Sequence, residues 1–176
     1  MCKKLFPDKY YDSTYHIDFD KLYEEGYRGI IFDIDNTLVP HGFPADERSI
    51  ELIGHLKELG FKILFLSNNK EPRVKMFNDA VDCMYIYKAN KPSKRGYVIA
   101  MEMMETSPLN TLCVGDQLFT DMWGAKGAGL YSILVQKIDP HEEIQIILKR
   151  RLEWIILLFY KISCKRKGVA FLEKEG

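Results

Sequence analysis

Residues 29–40 read Gly-Ile-Ile-Phe-Asp-Ile-Asp-Asn-Thr-Leu-Val-Pro and combine a strand with a polar site. Residues 30–32 are apolar without interruption, as in a strand that is buried on both faces of a parallel sheet. Asp33 and Asp35 follow at its carboxyl end, where open α/β sheets bind ligands, and carboxylates are hard oxygen ligands. The stretch therefore predicts a Mg²⁺ and phosphate site; the alternative is an ordinary Asp-Asn turn.

Further apolar runs and helical segments alternate along the chain. Strands are predicted over residues 61–66, 84–87, 111–114 and 131–135. Helices are predicted over residues 46–59, 71–79 and 97–104 and through residues 123–125. This alternation implies a parallel sheet with right-handed crossovers. We expect a three-layer, Rossmann-like α/β fold with a central parallel sheet of about five strands. Residues 1–28 are expected to form an irregular arm with a short helix near residues 20–25.

Composition limits the class of protein. A chain of 176 residues has the length of one domain with a sizeable core. Lys plus Arg and Asp plus Glu both total 25, so the net charge indicates no particular partner and no nucleic acid is expected. The four cysteines form no Cys-x-x-Cys pair, which argues against a zinc site or disulfides and favours a reducing compartment. We expect no secretory signal and no segment of the roughly 18 apolar residues that span a bilayer.

Polar residues follow the other predicted strands too. Ser67 follows the second strand, Lys91 the third and Asp116 the fourth, with Asp121 a few residues later. Hydrolysis of a phosphate ester needs a nucleophile, a proton donor and positive charge for the phosphoryl oxygens, and these side chains supply all three. Taken singly, Ser67 could cap a helix, Lys91 could be a surface lysine and Asp121 could cap a helix.

Four motifs in this order resemble those of the haloacid dehalogenase (HAD) superfamily of aspartate-nucleophile phosphatases. Residues 33–37, Asp-Ile-Asp-Asn-Thr, resemble motif I, and Ser67 falls at motif II. Lys91, before a proline, resembles the motif III lysine, and residues 115–121, Gly-Asp-Gln-Leu-Phe-Thr-Asp, resemble motif IV. A response-regulator receiver also binds Mg²⁺ at an aspartate, but the context of residues 33–37 does not suit it.

The resemblance implies a role for each residue. Asp33 would be the nucleophile that forms an aspartyl-phosphate, and Asp35 would be the general acid and base. The implied Mg²⁺ ligands are Asp33, Asp35 and Asp116, with Asp121 farther from the ion or an alternative ligand. The implied residues for phosphate binding are Ser67, Asn68 and Lys91, and the implied catalytic set is Asp33, Asp35, Ser67 and Lys91.

The short intervals between the motifs bear on the substrate. Residues 33–67 and 67–91 are filled by predicted helix and strand units, so neither interval holds a cap domain. Such an open site favours a bulky substrate or one held on a surface. Residues 1–140 are similar to the YqeG family of HAD phosphatases, subfamily IIIA, most specifically in Val-Gly-Asp-Gln-Leu-Phe-Thr-Asp at residues 114–121. Its relatives include phosphatidylglycerophosphatases, which implies formation of phosphatidylglycerol from phosphatidylglycerophosphate.

Residues 141–176 are predicted to form a separate amphipathic helix with a basic tail. Residues 154–160 are apolar throughout, and basic residues flank them on both sides. Such a helix lies in the headgroup region of an anionic membrane. The predicted membrane contacts are Trp154, Ile155, Phe159, Lys149, Arg150 and Arg151. The alternative is a helix packed on the sheet or on a second subunit.

These observations leave three functional hypotheses. The first is a Mg²⁺-dependent lipid phosphatase in the cytoplasm, at the inner face of the cell membrane. The second is the same chemistry on a phosphoprotein or nucleotide, since Lys70, Arg73, Lys94 and Arg95 suit any anionic substrate. The third is a non-catalytic module of the same fold. The oligomeric state is left open by the sequence.

Overall fold

The computed structural model describes residues 5–139 and 144–173, with the backbone alone for residues 144–151. Its six strands are β1 (Lys9–Tyr11), β2 (Gly29–Phe32), β3 (Lys62–Leu66), β4 (Met84–Ile86), β5 (Thr111–Gly115) and β6 (Tyr131–Val135). They form one sheet in the order β1-β6-β5-β2-β3-β4. Every neighbouring pair is parallel, so all carboxyl ends of the strands meet at one edge.

Helices connect the strands. They are α1 (Phe19–Glu24), α2 (Glu47–Leu59), α3 (Glu71–Asn78), α4 (Lys94–Met104), α5 (Trp123–Gly127) and α6 (Ile144–Lys167), with a 3-10 turn at Thr14–His16 and a π-helix at Leu118–Met122. Local chemistry sets the ends of α2: the Asp46 carboxylate accepts from the backbone N–H of Ser49 at 2.8 Å. Gly60 then ends the helix with φ of +101°, a conformation that glycine adopts without steric cost.

The predicted parallel α/β fold is confirmed, and the five predicted strands correspond to β2–β6. In the N-terminal arm, the short helix predicted near residues 20–25 is confirmed as α1. The rest of the arm was predicted to be irregular, which was wrong, because it contains β1, a sixth strand at the edge beside β6. This strand has only three residues, all half-buried, which is too short for a strand-like alternation of apolar and polar residues to be recognised. Its partner lies far away in the sequence: Lys9 pairs with Ile133 and Tyr11 with Val135.

Two apolar layers bury the central strand. Ile30 and Phe32 pack into the layer on one face of the sheet, and Ile31 packs into the layer on the other. All three side chains are fully buried, which explains the uninterrupted apolar run of β2. The strand is therefore held from both sides where its last residue leads into the polar edge.

The loops at this edge are short. The chain passes from β2 to α2 within residues 33–46 and from β3 to α3 within residues 67–70. No cap domain is inserted at either position, as predicted, so the edge is not covered from these loops.

One face of α6 packs against the domain. Glu153, Tyr160 and Cys164 are buried, and Glu153 accepts from the backbone N–H of Phe119 at 3.3 Å. Ile156 and Leu157 pack against an apolar cluster of Leu118, Met122 and Leu134. After α6, the tail returns to the sheet edge, where the N–H of Glu173 donates to the carbonyl of Tyr10 at 2.7 Å.

The opposite face of α6 is apolar and exposed. Its large side chains are between 44% and 66% exposed: Leu152, Trp154, Ile155, Leu158, Phe159 and Ile162. We call these six residues the outer face of α6. The helix therefore packs on the fold by one face, as one alternative predicted, and presents the predicted contacts Trp154, Ile155 and Phe159 on the other. The side chains of Lys149, Arg150 and Arg151 lie outside the described residues. Among the described helices, none combines the length and hydropathy of a bilayer span.

Candidate active site

Four loops bring the predicted site residues to the carboxyl edge of the sheet. Asp33 follows β2, Ser67 follows β3, Lys91 lies beyond β4 and Asp116 follows β5. These strands are neighbours in the order β5-β2-β3-β4. All four residues are buried, although each is polar. Buried polar side chains must find partners, so their contacts define the site.

Three carboxylates and one ammonium group form its centre. Asp33, Asp116 and Asp121 each present an oxygen within 4.8 Å of the others. Lys91 Nζ lies 2.5 Å from Asp33 Oδ1 and 2.7 Å from Asp121 Oδ1. We call these four residues the carboxylate cluster. The structure thus brings together residues from three separate loops that the sequence placed at strand ends.

Burial and like charges set the protonation of the cluster. Burial raises the pKa of Asp33 to about 7; the charges of Asp121 and Asp35 also raise it, while Lys91 lowers it. Burial alone would lower the pKa of Lys91, but Asp121 and Asp33 raise it above its usual value, so this ammonium stays charged. One ammonium thus faces three buried carboxylates. Hard oxygen donors with surplus negative charge are the ligand set of Mg²⁺, so these residues fit a divalent ion.

The π-helix positions Asp121. The Asp121 carboxylate accepts from the backbone N–H of Gln117 at 3.1 Å through Oδ2, and the Asp121 backbone carbonyl accepts from the Tyr97 hydroxyl at 3.2 Å. A Cβ at Gly115 would lie 2.6 Å from Asp121 Oδ2, closer than real contacts allow. Glycine is therefore required at residue 115 for Asp121 to reach the cluster.

Asp35 has other partners. Its Oδ1 accepts from Arg73 Nη2 at 2.8 Å and Nε at 3.1 Å, and its Oδ2 accepts from Asn69 Nδ2 at 2.7 Å. The backbone N–H of Gly42 also donates to Oδ1 at 2.8 Å. The predicted metal ligands Asp33, Asp35 and Asp116 stay a prediction. The carboxylates that lie within 4.8 Å of one another are those of Asp33, Asp116 and Asp121, and the Asp35 carboxylate is not among them. The reason is the pairing with Arg73 and Asn69, which holds Asp35 beside the cluster.

Ser67 and Asn68 shape the loop after β3. The Ser67 hydroxyl accepts from the backbone N–H of Asn69 at 3.1 Å, and Lys70 rather than Ser67 precedes α3 as its cap residue. Asn68 Oδ1 accepts from the Lys91 N–H at 2.7 Å, and its Nδ2 donates to the Lys91 carbonyl at 3.1 Å. Asn68 thus fixes the backbone of Lys91. The role of Ser67 and Asn68 in phosphate binding stays a prediction.

Sequence reasoning missed two supports of the motif I loop. The Thr14 hydroxyl donates to the carbonyl of Thr37 at 2.7 Å, and the Tyr15 hydroxyl donates to the carbonyl of Leu38 at 2.6 Å. Arg73 was noted only as a cation that suits any anion, whereas it pairs specifically with Asp35. These contacts join parts of the chain that are distant in sequence, so no local pattern could reveal them.

Comparisons with known proteins agree with this geometry. A model of the haloacid dehalogenase-like hydrolase family matches residues 41–129. The chain therefore belongs to the haloacid dehalogenase-like hydrolases, as the motifs indicated. It is also 38% identical over 170 residues to a Bacillus subtilis (strain 168) protein described as "Probable phosphatase YqeG", covering 96% of both chains. The chain is thus a phosphatase of the YqeG type.

Solved structures support the fold. An uncharacterized protein from Listeria monocytogenes serotype 4b superposes with a TM-score of 0.50 at 16% identity, over 70% of this chain and 99% of that one. A mutant of CbbY from Rhodobacter sphaeroides, in complex with xylulose-(1,5)bisphosphate, gives a TM-score of 0.50 at 17% identity, over 66% of this chain and 90% of that one. At such identities the likeness concerns the fold alone.

Proposed function

We propose that this chain is a Mg²⁺-dependent phosphomonoester hydrolase with an aspartyl-phosphate intermediate, and that its substrate is phosphatidylglycerophosphate, which it converts to phosphatidylglycerol. The observation that carries the chemistry is the position of Lys91, in contact with both Asp33 and Asp121. A carboxylate beside a fixed ammonium is suited to attack phosphorus while the ammonium stabilises the phosphoryl oxygens.

In the first step, an oxygen of Asp33 attacks phosphorus and the bond from phosphorus to the ester oxygen breaks. Asp35 donates a proton to the leaving alkoxide. Arg73 and Asn69 orient the Asp35 carboxyl group through both of its oxygens. Asn68 holds the backbone of Lys91. The Nζ of Lys91 neutralises charge on the transferring group.

In the second step, water attacks the phosphorus of the aspartyl-phosphate and Asp35 accepts its proton. Inorganic phosphate leaves and the Asp33 carboxylate is regenerated. Mg²⁺ held by Asp33, Asp116 and Asp121 would supply further positive charge to the phosphoryl oxygens. Asp121 would help to hold both positive groups, the ammonium of Lys91 and the Mg²⁺ ion. It contacts Lys91, and it belongs to the carboxylate cluster.

A lipid substrate is supported by the outer face of α6. Single exposed apolar residues are common, but six large ones on one helix face form a patch of the kind that binds partners or membranes. The exposed basic residues Lys161, Lys165, Arg166 and Lys167 accompany this face and suit anionic headgroups. The loops after β2 and β3 are short, so they leave the carboxyl edge of the sheet open to a bulky substrate. We propose that the protein acts in the cytoplasm, at the inner face of the cell membrane.

The test is phosphate release from a panel of substrates by purified protein with Mg²⁺. Phosphatidylglycerophosphate in mixed micelles should be the preferred substrate over a phosphopeptide, a nucleotide and sugar phosphates. Asp33→Asn should abolish this release while its circular dichroism spectrum and thermal midpoint stay near those of the parent. Preference for a soluble phosphate ester would contradict the lipid assignment, and release by none of the panel would contradict the enzymatic one.

A further inference from the structure

A cavity of about 310 Å³ lies between the carboxyl ends of β5 and β6 and helix α6. Asp116 forms one part of its wall, and Trp154 and Leu157 of α6 form another. Leu118, Leu134 and Val135 supply further apolar surface. The cavity therefore has an acid of the carboxylate cluster at one side and a mainly apolar lining elsewhere, which is typical of sites for small amphiphilic molecules.

Two residues connect this cavity with surfaces already described. Asp116 belongs both to the cavity wall and to the carboxylate cluster. Trp154 belongs both to the cavity wall and to the outer face of α6, where it is 66% exposed. The cavity thus adjoins the site of chemistry and the surface proposed to meet the membrane.

We propose that this cavity binds the apolar segment of the substrate's leaving group while the phosphate lies at the carboxylate cluster. This inference rests on the proposed function and names a binding site within it. The volume is at the lower end of the range of about 300–1,000 Å³ for ligand pockets, so it holds a short segment rather than a whole lipid. Gln136, Lys137 and Glu153 supply polar surface to the same wall. Helix α6 thereby forms a wall of the substrate site that a cap domain would otherwise form.

The first experiment uses n-alkyl phosphates from ethyl to octyl, below their micellar concentrations and without vesicles. In the parent protein, KM should fall by about fourfold for each methylene that enters the cavity, until the cavity is full. Leu157→Trp, which fills the cavity, should make KM nearly independent of chain length. In Leu157→Ala, which enlarges the cavity, KM should continue to fall for alkyl chains longer than those that fill the cavity of the parent. Met103→Trp, at an exposed position on α4, is the matched control and should behave as the parent.

The second experiment measures binding without turnover. The chain has two tryptophans, so Trp123→Phe leaves Trp154 as the reporter. Octylphosphonate should change its fluorescence saturably, and Leu157→Ala in the same background should alter the affinity. A KM that is independent of chain length, or fluorescence that does not respond, would overturn the cavity assignment even if phosphatidylglycerophosphate is hydrolysed. Saturable binding by a protein that hydrolyses no phosphate ester would instead contradict the proposed function and support the cavity.

Discussion

Lys91 Nζ lies 2.7 Å from Asp121 Oδ1, and this contact ties the loop after β4 to the π-helix that follows β5. The two side chains are 5% and 2% exposed, so water does not replace either partner. Asp33 contacts the same ammonium group. A single lysine therefore holds together two loops and the residue proposed as nucleophile, and its removal has consequences for both stability and chemistry.

Lys91→Met should lower the free energy of unfolding in EDTA by about 3–5 kcal/mol relative to the parent, because it leaves Asp33 and Asp121 buried without their ammonium partner. Mg²⁺ should stabilise this variant more than it stabilises the parent, since it restores positive charge to the cluster. The measurement is urea unfolding with EDTA and with Mg²⁺. Lys94→Met, at an exposed lysine at the start of α4, is the control. Equal free energies of unfolding for Lys91→Met and Lys94→Met would show that the buried contacts of Lys91 with Asp33 and Asp121 do not stabilise the fold.

Gly115→Ala should weaken the Mg²⁺ dependence of catalysis, because its Cβ would lie 2.6 Å from Asp121 Oδ2 and must displace that carboxylate. We expect a higher Mg²⁺ concentration for half-maximal activity and a lower kcat. Gly54→Ala is the matched control, since a Cβ there meets no atom within 4 Å. In the middle of α2 this alanine should stabilise the fold by about 0.5–1 kcal/mol with unchanged activity. A normal Mg²⁺ titration of Gly115→Ala would argue against Asp121 as a ligand.

Asp35→Asn should lower the rate on alkyl phosphates by about 10²–10⁴-fold, the usual contribution of a general acid. The loss should be much smaller for p-nitrophenyl phosphate, because its leaving group departs without a proton. Rates for both substrates, compared with an Asp79→Asn control at an exposed carboxylate, measure this difference. Equal losses on the two substrates would show that Asp35 maintains the site through Arg73 rather than transferring a proton.

Replacement of Ile155 and Phe159 by serine should reduce binding to vesicles that contain phosphatidylglycerol, because both side chains lie on the outer face of α6. Turnover of a soluble phosphate ester should change little. Leu109→Ser is the control: Leu109 is 92% exposed but lies away from α6. Vesicle sedimentation at increasing salt checks the result, and binding by the basic residues should weaken as salt rises. Unchanged sedimentation of the double variant would contradict the membrane contact.

Much of this fold could be predicted from sequence because its central strands are buried on both faces. The uninterrupted apolar runs of β2, β3 and β5 follow from that burial, and the residues directly after them can lie only at one edge. Asp33 and Asp116 were placed correctly at that edge for this reason. The short edge strand β1 escaped prediction because its pairing with β6 depends on contacts between distant parts of the chain.

The exact membership of the site could not be predicted in the same way. Asp121 reaches Lys91 because residues 118–122 form a π-helix, and the sequence shows no period that signals one. Asp35 is held by Arg73, which comes from α3, so its partner depends on the packing of a helix rather than on strand order. Strand ends locate a site, whereas tertiary contacts decide which of its carboxylates can share a metal ion.

The central claim is that Asp33 carries the phosphoryl group, and rapid acid quenching tests it directly. The protein would be mixed with substrate and Mg²⁺, quenched within the first turnover, digested and analysed by mass spectrometry. We expect one phosphoryl group on Asp33, in the peptide that contains residues 29–40, and none in the Asp33→Asn variant. Phosphate release by Asp33→Asn at the parent rate, or a phosphoryl group on a different residue, would contradict it.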